Sequence, residues 1–362
     1  MIEKLDGLYN VEDVLEGRAA WKYAEDALQL VSRTFALNIR VLRGKLHRSI
    51  LLAYLYLRIA DTVEDDPDMK ATEKDSVLAL FADAFKTGKL ETEKIRAFVA
   101  ALPQSWHGSE DPNKDLCVKS EVVVPLLKSL PEAYKKPVCD VVIEMCGGMA
   151  KFALRQEAAL SAGWFTLENV GELDEYCYYV AGSVGTLLTR LFSADTCLIG
   201  AEREAELSKL DVSFGLALQV VNIVKDCVED SGRRVCFIPE EICRRHGFAH
   251  SSELFKDGAD AQKCGAVLAE LVEKAWRHLD DAIAYTKLIP NIKMRTRLFC
   301  LCALFMAAEN LSLIGDGVSV FTSDKKVKIT RDTVKRIVKE TSMHFYSDKW
   351  IDEAYARIKG RG

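Results

Sequence analysis

The sequence predicts an all-α protein, and three observations support that fold class. Long segments carry apolar residues at helical spacing, whereas runs that alternate apolar and polar residues are few. Only 8 residues are proline, and Pro103, Pro131, Pro239 and Pro290 fall between the helical segments, where a missing N–H does least harm. No low-complexity linker divides the chain. We therefore expect a single all-α domain over residues 1–362, in which residues 1–17 form an N-terminal arm.

Apolar spacing and the residues that interrupt it place the helices in chain order. Pro67 follows one acidic segment, and Ser231 and Gly232 follow another, which is where helices are expected to end. The predicted helices span Arg18–Asn38, Lys45–Glu64, Ala71–Thr87, Glu91–Leu102, Ser120–Leu130, Val138–Ala159, Glu172–Phe192, Ala201–Glu229, Cys264–Thr286, Ile292–Ile314 and Thr330–Thr341.

Composition excludes several classes of function. The formal charge of −5 gives no reason to expect nucleic-acid binding. The 11 cysteines are scattered, without a Cys-x-x-Cys pair or a preceding signal peptide, so we expect reduced, buried thiols in a cytoplasmic protein. His246 and His250 lack a third ligand for a zinc site. The longest apolar run, Leu298–Ala308, is shorter than the roughly 18 residues that a membrane span needs.

The pentapeptide Asp-x-x-Glu-Asp occurs twice, as Asp61–Asp65 and as Asp226–Asp230, each time at the end of an apolar helical segment. Positions i, i+3 and i+4 share one face of a helix, so each copy gathers its carboxylates within one turn. Like charges at this spacing destabilise a helix by about 0.2–0.5 kcal/mol per pair. Oxygen ligands suit hard cations such as Mg²⁺, and the two copies therefore predict metal binding.

Basic residues accompany both acidic clusters. Arg58 lies three residues before the first cluster on the same face, Lys225 directly precedes the second, and Arg233 and Arg234 follow it. A single Asp-x-x-Glu-Asp is most often a solvated helix face. Two copies with cations beside apolar helices favour a lipid diphosphate bound through Mg²⁺. The metal would assist departure of the diphosphate, and an apolar wall would protect the carbocation from water.

Five further stretches carry a resemblance to a known family. In order and spacing, the chain resembles the squalene/phytoene synthase family from about Ala24 to Lys335, most closely its squalene-forming branch. The matching stretches are Ser32–Phe35 (SRTF), Tyr54–Arg58 (YLYLR) leading into DTVED, Gly147–Ala150 (GGMA), Tyr176–Gly182 (YCYYVAG) and Gln219–Lys225 (QVVNIVK) leading into DCVED.

The resemblance implies an isoprenoid synthase helical fold, with both acidic clusters facing a central cavity. It implies that two molecules of farnesyl diphosphate condense head to head, with help from Mg²⁺, to give presqualene diphosphate. A second ionisation, rearrangement and hydride transfer from NADPH or NADH would then give squalene, for sterol or hopanoid biosynthesis.

The resemblance also assigns roles to residues. Tyr176 matches a tyrosine of the first half-reaction, where a phenol can orient diphosphate, steady a cation or relay a proton. Asp61, Asp65, Asp226 and Asp230 would be the catalytic carboxylates, and Glu64 and Glu229 would complete the metal ligands. The implied substrate-binding residues are Ser32, Arg33, Phe35, Tyr54, Arg58, Val180, Phe214, Leu218, Gln219, Lys225, Arg233, Arg234 and Phe299. The alternative for Phe214, Leu218 and Phe299 is ordinary core packing, and for Tyr176 a buried tyrosine with a satisfied hydroxyl.

A nucleotide site has the weakest signal. No Gly-x-Gly-x-x-Gly follows a strand, and Gly182 and Gly185 fall inside a predicted helix, where glycines permit close helix packing. The resemblance instead places the dinucleotide near Asn222 and a basic flap over residues 316–331. The cations of that flap are Lys325, Lys326, Lys328 and Arg331, which could hold phosphates. The alternative is a solvated loop followed by a helix start.

Two features depart from the family pattern. Eukaryotic members usually end in a membrane-spanning tail, whereas this sequence ends at Gly362 without one, so we expect either a bacterial-type soluble enzyme or a shortened form of a longer protein. Because the substrate and product of the family are lipids, we expect a cytoplasmic protein with peripheral membrane contact. The family arginine four residues before the proline that follows the second cluster is Val235 here. A one-residue shift would let Arg233 or Arg234 supply that cation.

Two other functions are compatible with the residues. A synthase of the same fold could stop at presqualene diphosphate, or could make phytoene or dehydrosqualene. A non-catalytic helical protein that binds isoprenoids would keep the fold and would need neither acidic cluster.

Overall fold

The computed structural model describes residues 11–32, 34–88, 90–314, 319–322 and 327–361. It confirms the all-α class: within these residues, the strands are limited to one pair of two residues each. The chain divides into two compact units, Met1–Ala150 and Lys151–Gly362. Helix α8, Glu132–Ala162, begins in the first unit and ends in the second. The expectation of a single domain stays a prediction.

The first unit is built around one long helix, α3. Its described elements, besides the start of α8, are α1 Val11–Val31, α2 Thr34–Val41, α3 Gly44–Asp65, α4 Ala71–Lys86, α5 Thr92–Ala101, α6 Pro112–Val118, α7 Ser120–Val123 and 3₁₀ turns at Gln104–Trp106 and Val124–Ser129.

Helix α3 has its bounds set by local chemistry. Gly44 begins it at a φ of 62°, in the left-handed region that glycine enters without strain. At the other end, the Asp66 carboxylate accepts hydrogen bonds from the N–H groups of Asp68 (2.9 Å) and Met69 (3.1 Å), which turns the chain. The buried hydroxyl of Tyr56 donates to the carbonyl oxygen of Val123 at 3.0 Å. These contacts fix the helix that carries the first acidic cluster.

The predicted helix Arg18–Asn38 is wrong as a single element, because it breaks into α1 and α2. The hydroxyl of Ser32 accepts a hydrogen bond from the N–H of Phe35 at 3.2 Å. A serine side chain that satisfies an N–H in the first turn favours a new helix start over continuation. Similarly, the predicted helix Ser120–Leu130 is helical only as far as Val123 and continues as a 3₁₀ turn.

The second unit packs its helices around α12, which contacts α14 most extensively and also meets α10 and α15. Its described elements after α8 are β1 Phe165–Thr166, α9 Val170–Cys177, a π-helical turn at Tyr178–Gly182, α10 Ser183–Asp195, α11 Ala201–Ser208, α12 Asp211–Gly232, β2 Val235–Cys236, α13 Glu240–Arg245, a 3₁₀ turn at Ser251–Phe255, α14 Ala261–Leu288, α15 Met294–Ser312, α16 Ser319–Thr322, α17 Arg331–His344 and α18 Asp348–Lys359.

Glycines allow α12 to cross the preceding segment closely. A Cβ at Gly185 would lie 1.8 Å from the carbonyl oxygen of Asp211, and a Cβ at Gly215 would lie 2.0 Å from that of Ala181. Neither position has room for any other residue. The prediction that Gly182 and Gly185 serve helix packing is confirmed, and Gly215 is the matching residue on α12.

Two predicted helices of this unit are interrupted. Glu172–Phe192 becomes α9, the π-helical turn and α10, and Ala201–Glu229 becomes α11 and α12, separated at Lys209 and Leu210. Single π turns are rare and occur mostly at functional sites. Sequence periodicity also missed the short helices α6 and α13, the terminal α18 and both strands.

One segment of the described residues, Ala201–Gly232, is long enough and apolar enough to cross a membrane. Its apolar window is 56% buried inside the protein. A core helix passes the same test, and the packing of α12 accounts for the composition. The cysteines behave as predicted: all are free, and only Cys197 is exposed.

Candidate active site

The first acidic cluster lies at the C-terminal end of α3, on a helix face that is only partly buried. Tyr54, Arg58, Asp61 and Glu64 are half-exposed and Asp65 is exposed, while most of the intervening residues are buried. The C-terminus of a helix carries partial negative charge, so carboxylates there are unfavourable with respect to the helix dipole as well as to each other. Such an arrangement requires cations to stabilise it.

Arg58 supplies the first cation. One guanidinium nitrogen donates to the Asp61 carboxylate at 2.7 Å, and the other donates to the Tyr54 hydroxyl at 3.2 Å. The Asp61 side chain keeps 36% of its surface exposed to solvent. Burial raises the pKa of Asp61 to about 6, Arg58 opposes that rise and Asp65 adds to it. Arg58 thus offsets the burial of the Asp61 carboxylate only in part.

The aromatic side of this cluster involves the start of α2. The rings of Phe35 and Tyr54 lie 5.9 Å apart, and Phe35 is 39% exposed. Ser32 is buried, and its hydroxyl is engaged with the N–H of Phe35. Arg33 lies outside the described residues, so its predicted role stays a prediction. Phe35, Tyr54, Arg58 and Asp61 thus form one continuous surface within the first unit.

The second cluster lies at the C-terminal end of α12, and a partly exposed stripe leads to it. The stripe is apolar at its start, carries amides in the middle and is charged at its end. Its members are Leu218, Gln219, Asn222, Lys225, Asp226 and Glu229, and the residues between them are mostly buried. Their three- and four-residue spacing places them on one helix face. A face of graded polarity suits a ligand with an apolar tail and a charged head.

Two cations compensate the second cluster. Lys225 lies 3.0 Å from Asp226 and donates to the amide oxygen of Asn222 at 3.3 Å. Arg233 donates to Asp230 at 2.6 Å. Burial raises the pKa of Asp230, an effect that Arg233 opposes and that the neighbouring carboxylates reinforce.

The segment after this cluster resolves the arginine register in part. Val235 is buried in β2, where it pairs with Phe165, so it presents no surface to a ligand. Arg233 and Arg234 are both exposed. Arg234 has a φ of 60°, a left-handed conformation that costs a non-glycine residue about 1–2 kcal/mol. Arg233 pairs directly with Asp230, and the choice between Arg233 and Arg234 as the diphosphate-binding cation stays a prediction.

Tyr176 lies near the end of α9, just before the π-helical turn. Its ring stacks on Phe237 at a centroid distance of 4.3 Å and meets the edge of Phe152 at 5.2 Å. Sequence analysis found neither Phe237 nor Phe152. Phe237 does follow the second cluster within a short apolar run, but without spacing that distinguishes it from a core residue.

Comparison with known proteins decides the family. The profile of the squalene/phytoene synthase family matches residues 28–332, most of the chain. The chain belongs to the squalene/phytoene synthase family. The recognition made from the motifs is thereby confirmed.

Relatives of this squalene/phytoene synthase chain carry a consistent name. It is 28% identical to squalene synthase of Schizosaccharomyces pombe and 30% identical to squalene synthase of Yarrowia lipolytica, over 83% and 88% of its own length. It spans 61% and 66% of the lengths of those two proteins. The solved complex of TcSQS with a ligand shares its fold, with a TM-score of 0.73 and 24% identity over 95% of this chain and 96% of the other.

The predicted pocket residues of this family member differ in exposure. Phe214 and Phe299 are buried, Phe214 at 5.4 Å from the Tyr285 ring and Phe299 at 6.4 Å from Phe192. Such packing also fits ordinary core residues. Val180, in the π-helical turn, is half-exposed, as is Leu218. The pocket roles stay predictions, and exposure favours Val180 and Leu218 over the two phenylalanines.

The carboxylates fit Mg²⁺ when substrate oxygens share its coordination. Among the described residues, no three His, Cys, Asp or Glu side chains converge on a single point. Mg²⁺ commonly takes one or two carboxylates together with phosphate oxygens and waters. The donor set of each cluster, with oxygen atoms only and at least one exposed or half-exposed carboxylate, matches that mode.

The flap cations are described only in part. Lys328 and Arg331 are exposed, and Arg331 begins α17. The N–H of Ile329 donates to the side-chain oxygen of Asn310 on α15 at 3.1 Å, which anchors this segment. Lys325 and Lys326 lie outside the described residues.

Proposed function

We propose that this chain is a squalene synthase. It would condense two molecules of farnesyl diphosphate to presqualene diphosphate and convert that intermediate to squalene with NADPH. The observation that carries the proposal is the pair of Asp-x-x-Glu-Asp clusters. Each lies on a partly exposed helix face at an unfavourable helix terminus, with its own cations, in a chain of the squalene/phytoene synthase family.

The cations beside each cluster would bind diphosphate. Arg58 presents a planar guanidinium held by Tyr54 and Asp61, and an arginine can donate two parallel hydrogen bonds to phosphate oxygens. Lys225, Arg233 and Arg234 would act in the same way beside the second cluster. The graded polarity of the exposed face of α12 supports a bound farnesyl diphosphate with its apolar tail near Leu218 and its diphosphate near Asp226.

Mg²⁺ would be held at the first cluster by Asp61 and Asp65 with Glu64, and at the second by Asp226 and Asp230 with Glu229. When bound, it would neutralise the diphosphate and so make it a better leaving group. The carboxylates themselves would orient the head group, because their oxygens would serve as ligands of the same metal as the diphosphate oxygens. Arg58 and Arg233 would then exchange a carboxylate partner for a phosphate partner as substrate binds.

Tyr176 would act in the first half-reaction. Its phenol can hold or move a proton at its hydroxyl oxygen, and its ring face can steady a positive charge. For the second half-reaction, Asn222 on the α12 stripe and the exposed Lys328 and Arg331 would bind the dinucleotide. Lys325 and Lys326 would extend that cationic segment. Substrate and product are lipids, so we infer a cytoplasmic enzyme that makes peripheral membrane contact.

Product analysis tests the function. The chain is incubated with farnesyl diphosphate and Mg²⁺, with and without NADPH, and the products are analysed by mass. We expect squalene with NADPH and presqualene diphosphate without it. A hydrocarbon product unaffected by NADPH would instead identify a phytoene- or dehydrosqualene-forming enzyme. Absence of any condensation product would leave a non-catalytic isoprenoid-binding protein and would contradict the proposal.

A further inference from the structure

Phe237 occupies an unusual position for a large apolar side chain. It lies in the segment Val235–Glu240, where every other residue is buried, including Pro239 and the carboxylate of Glu240. Phe237 alone is half-exposed. A core role would bury this ring with its neighbours. Its partial exposure places the ring at the edge of the core, where another element can pack against it.

That element is the helix of Tyr176. The two rings are nearly parallel, with an interplanar angle of 20° and centroids 4.3 Å apart. Phe152 meets the Tyr176 ring edge-on, at 5.2 Å and 73°. Offset stacking and edge contacts are the favoured arrangements of aromatic pairs. Phe237 thus covers one face of the tyrosine ring, and Phe152 packs against the same ring in a T-shaped contact.

The backbone fixes where Phe237 stands. The N–H of Phe165 donates to the carbonyl oxygen of Arg234 at 3.0 Å, and the N–H of Glu240 donates to that of Leu167 at 2.8 Å. These bonds flank the pairing of β1 with β2, which in the described part of the chain is the only strand pairing. Phe237 is therefore held between two backbone tethers.

The tethers continue to the helix that carries Tyr176. The N–H of Glu241 donates to the carbonyl oxygen of Glu168 at 3.0 Å, and the Glu241 carboxylate accepts from the N–H of Val170 at 3.2 Å. Val170 is the first residue of α9. Hydrogen bonds therefore connect the segment that follows the second acidic cluster to the start of α9, the helix that carries Tyr176.

We propose that Phe237 is a positioning residue for Tyr176, which holds the phenol in register with the second acidic cluster. The ring stack, seven residues after Asp230 in sequence, links the diphosphate-binding end of α12 to the tyrosine. This inference rests on the proposed function, since it assigns Tyr176 a part in the first half-reaction. Its geometric content, that Phe237 sets the orientation of the Tyr176 ring, can be measured without turnover.

Three variants test the catalytic consequence. Phe237→Leu removes the stacked ring, Phe237→Tyr keeps it, and Phe165→Leu removes a ring that contacts Phe237 at 5.9 Å but is not among the rings that pack on Tyr176. Initial rates of presqualene diphosphate formation are measured without NADPH. We expect Phe237→Leu to lower kcat by about 10- to 100-fold with KM within about twofold, because misplacing a reacting group by about 1 Å has effects of that size. Phe237→Tyr should restore kcat, and Phe165→Leu should lower Tm without changing kcat.

A spectroscopic measurement separates this inference from the proposed function. Fluorotyrosine is incorporated at position 176, and its ¹⁹F resonance is compared among the same variants. We expect Phe237→Leu to shift the resonance, and Phe237→Tyr and Phe165→Leu to leave it near the wild-type position. An unchanged resonance and kcat in Phe237→Leu would overturn the inference, as would equal losses of kcat in Phe237→Leu and Phe165→Leu. A shifted resonance in a chain without condensation activity would contradict the function and support the positioning.

Discussion

The two acidic clusters share one pentapeptide but differ in where the cations that pair with them lie along the chain. In the first, Arg58 precedes the motif on the same helix and pairs with its first residue, Asp61, while the last, Asp65, is exposed. In the second, Lys225 pairs with the first residue, Asp226, and Arg233, which follows the motif, pairs with the last residue, Asp230, which is buried. The motif therefore fixes the spacing of the carboxylates, and the flanking chain decides their electrostatics.

The two clusters depend on different neighbouring segments for their cations. The first cluster is completed within one helix, because Tyr54, Arg58 and Asp61 follow each other at helical spacing. The second is completed by a turn in which Arg234 adopts a left-handed conformation before β2. We infer that the first cluster is preorganised by helix geometry and the second by the strand pairing that holds its exit segment.

The largest expected effect is common to both clusters. Asp61→Ala and Asp226→Ala should each lower the rate of presqualene diphosphate formation by about 100- to 1,000-fold, since metal-assisted ionisation supplies several kcal/mol. Both variants should remain folded by circular dichroism. Asp75→Ala and Asp257→Ala, exposed aspartates of the first and second units, serve as matched controls and should keep full activity. Wild-type rates in either cluster variant would remove that cluster from the mechanism.

Arg58 and Arg233 should contribute unequally to kcat/KM, because the two clusters hold their arginines differently. Arg58→Lys should lower kcat/KM for farnesyl diphosphate by about tenfold, because lysine cannot bond Asp61 and Tyr54 with a rigid fork. Arg233 is 60% exposed, and an ion pair that is open to solvent contributes little, so Arg233→Lys should change kcat/KM by less than about threefold. Steady-state kinetics on both variants checks this order. Equal losses would show that the clusters are electrostatically equivalent.

A buried carboxylate outside both clusters, Glu309 on α15, serves as a structural reference. Arg336 and Arg361 donate to the same carboxylate oxygen at 2.6 and 2.8 Å. Burial raises the pKa of Glu309, but the two arginines outweigh it, so the pKa lies below its usual value of 4.5. At Asp61, by contrast, burial prevails and raises the pKa to about 6. The two arginines at Glu309 thus outweigh its burial, whereas Arg58 does not outweigh the burial of Asp61.

The sign of the Glu309 effect follows from its lowered pKa. Its stabilisation is present above about pH 4.5 and is lost as the pH falls through the folded-state pKa. Glu309→Gln should therefore lower the free energy of unfolding by about 1 kcal/mol at pH 7 and by less at pH 4. The expected loss at pH 7 is modest because the two arginine partners of Glu309 are exposed to solvent. Urea unfolding at both pH values measures this. Glu353→Gln, at an exposed glutamate of α18, is the control, and a difference independent of pH would contradict the assignment.

The smallest expected effect concerns the strained exit of the second cluster. Arg234→Gly should raise the free energy of unfolding by about 0.5–1 kcal/mol, because glycine adopts a positive φ without strain but loses more entropy on folding. The same change should raise KM for farnesyl diphosphate if the side chain binds diphosphate. Urea unfolding and steady-state kinetics together check both parts. Lower stability in Arg234→Gly would show that the Arg234 side chain stabilises the fold more than its backbone strains it.

Elements were predicted correctly where the helical spacing of apolar residues extends over several turns. Motifs were interpreted correctly where they have a direct structural consequence. The helices around Lys45–Glu64, Ala71–Thr87 and Cys264–Thr286 are confirmed to within a few residues, because apolar spacing over several turns determines them. The glycines of the Gly182 segment were interpreted correctly, since close packing follows from their missing side chains.

Short and irregular elements could not be predicted in this way. Two-residue strands leave no alternation to detect, and the π-helical turn differs from a helix by one inserted residue. The break at Ser32 depends on a single side-chain hydrogen bond. Phe237 was missed because partial exposure of a phenylalanine is a tertiary property. The candidate site was thus predictable in its charged residues and not in the aromatic contacts that orient Tyr176.

The central claim is that both clusters bind diphosphate through Mg²⁺, and binding of a non-ionising thio analogue of farnesyl diphosphate tests it most directly. Calorimetric titration of the wild type, Asp61→Ala and Asp226→Ala, each with Mg²⁺ and with EDTA, measures the metal dependence at each cluster. We predict that Mg²⁺ strengthens binding at least about tenfold in the wild type, and that each substitution removes most of this gain. Equal affinity with and without Mg²⁺ in the wild type would contradict the account.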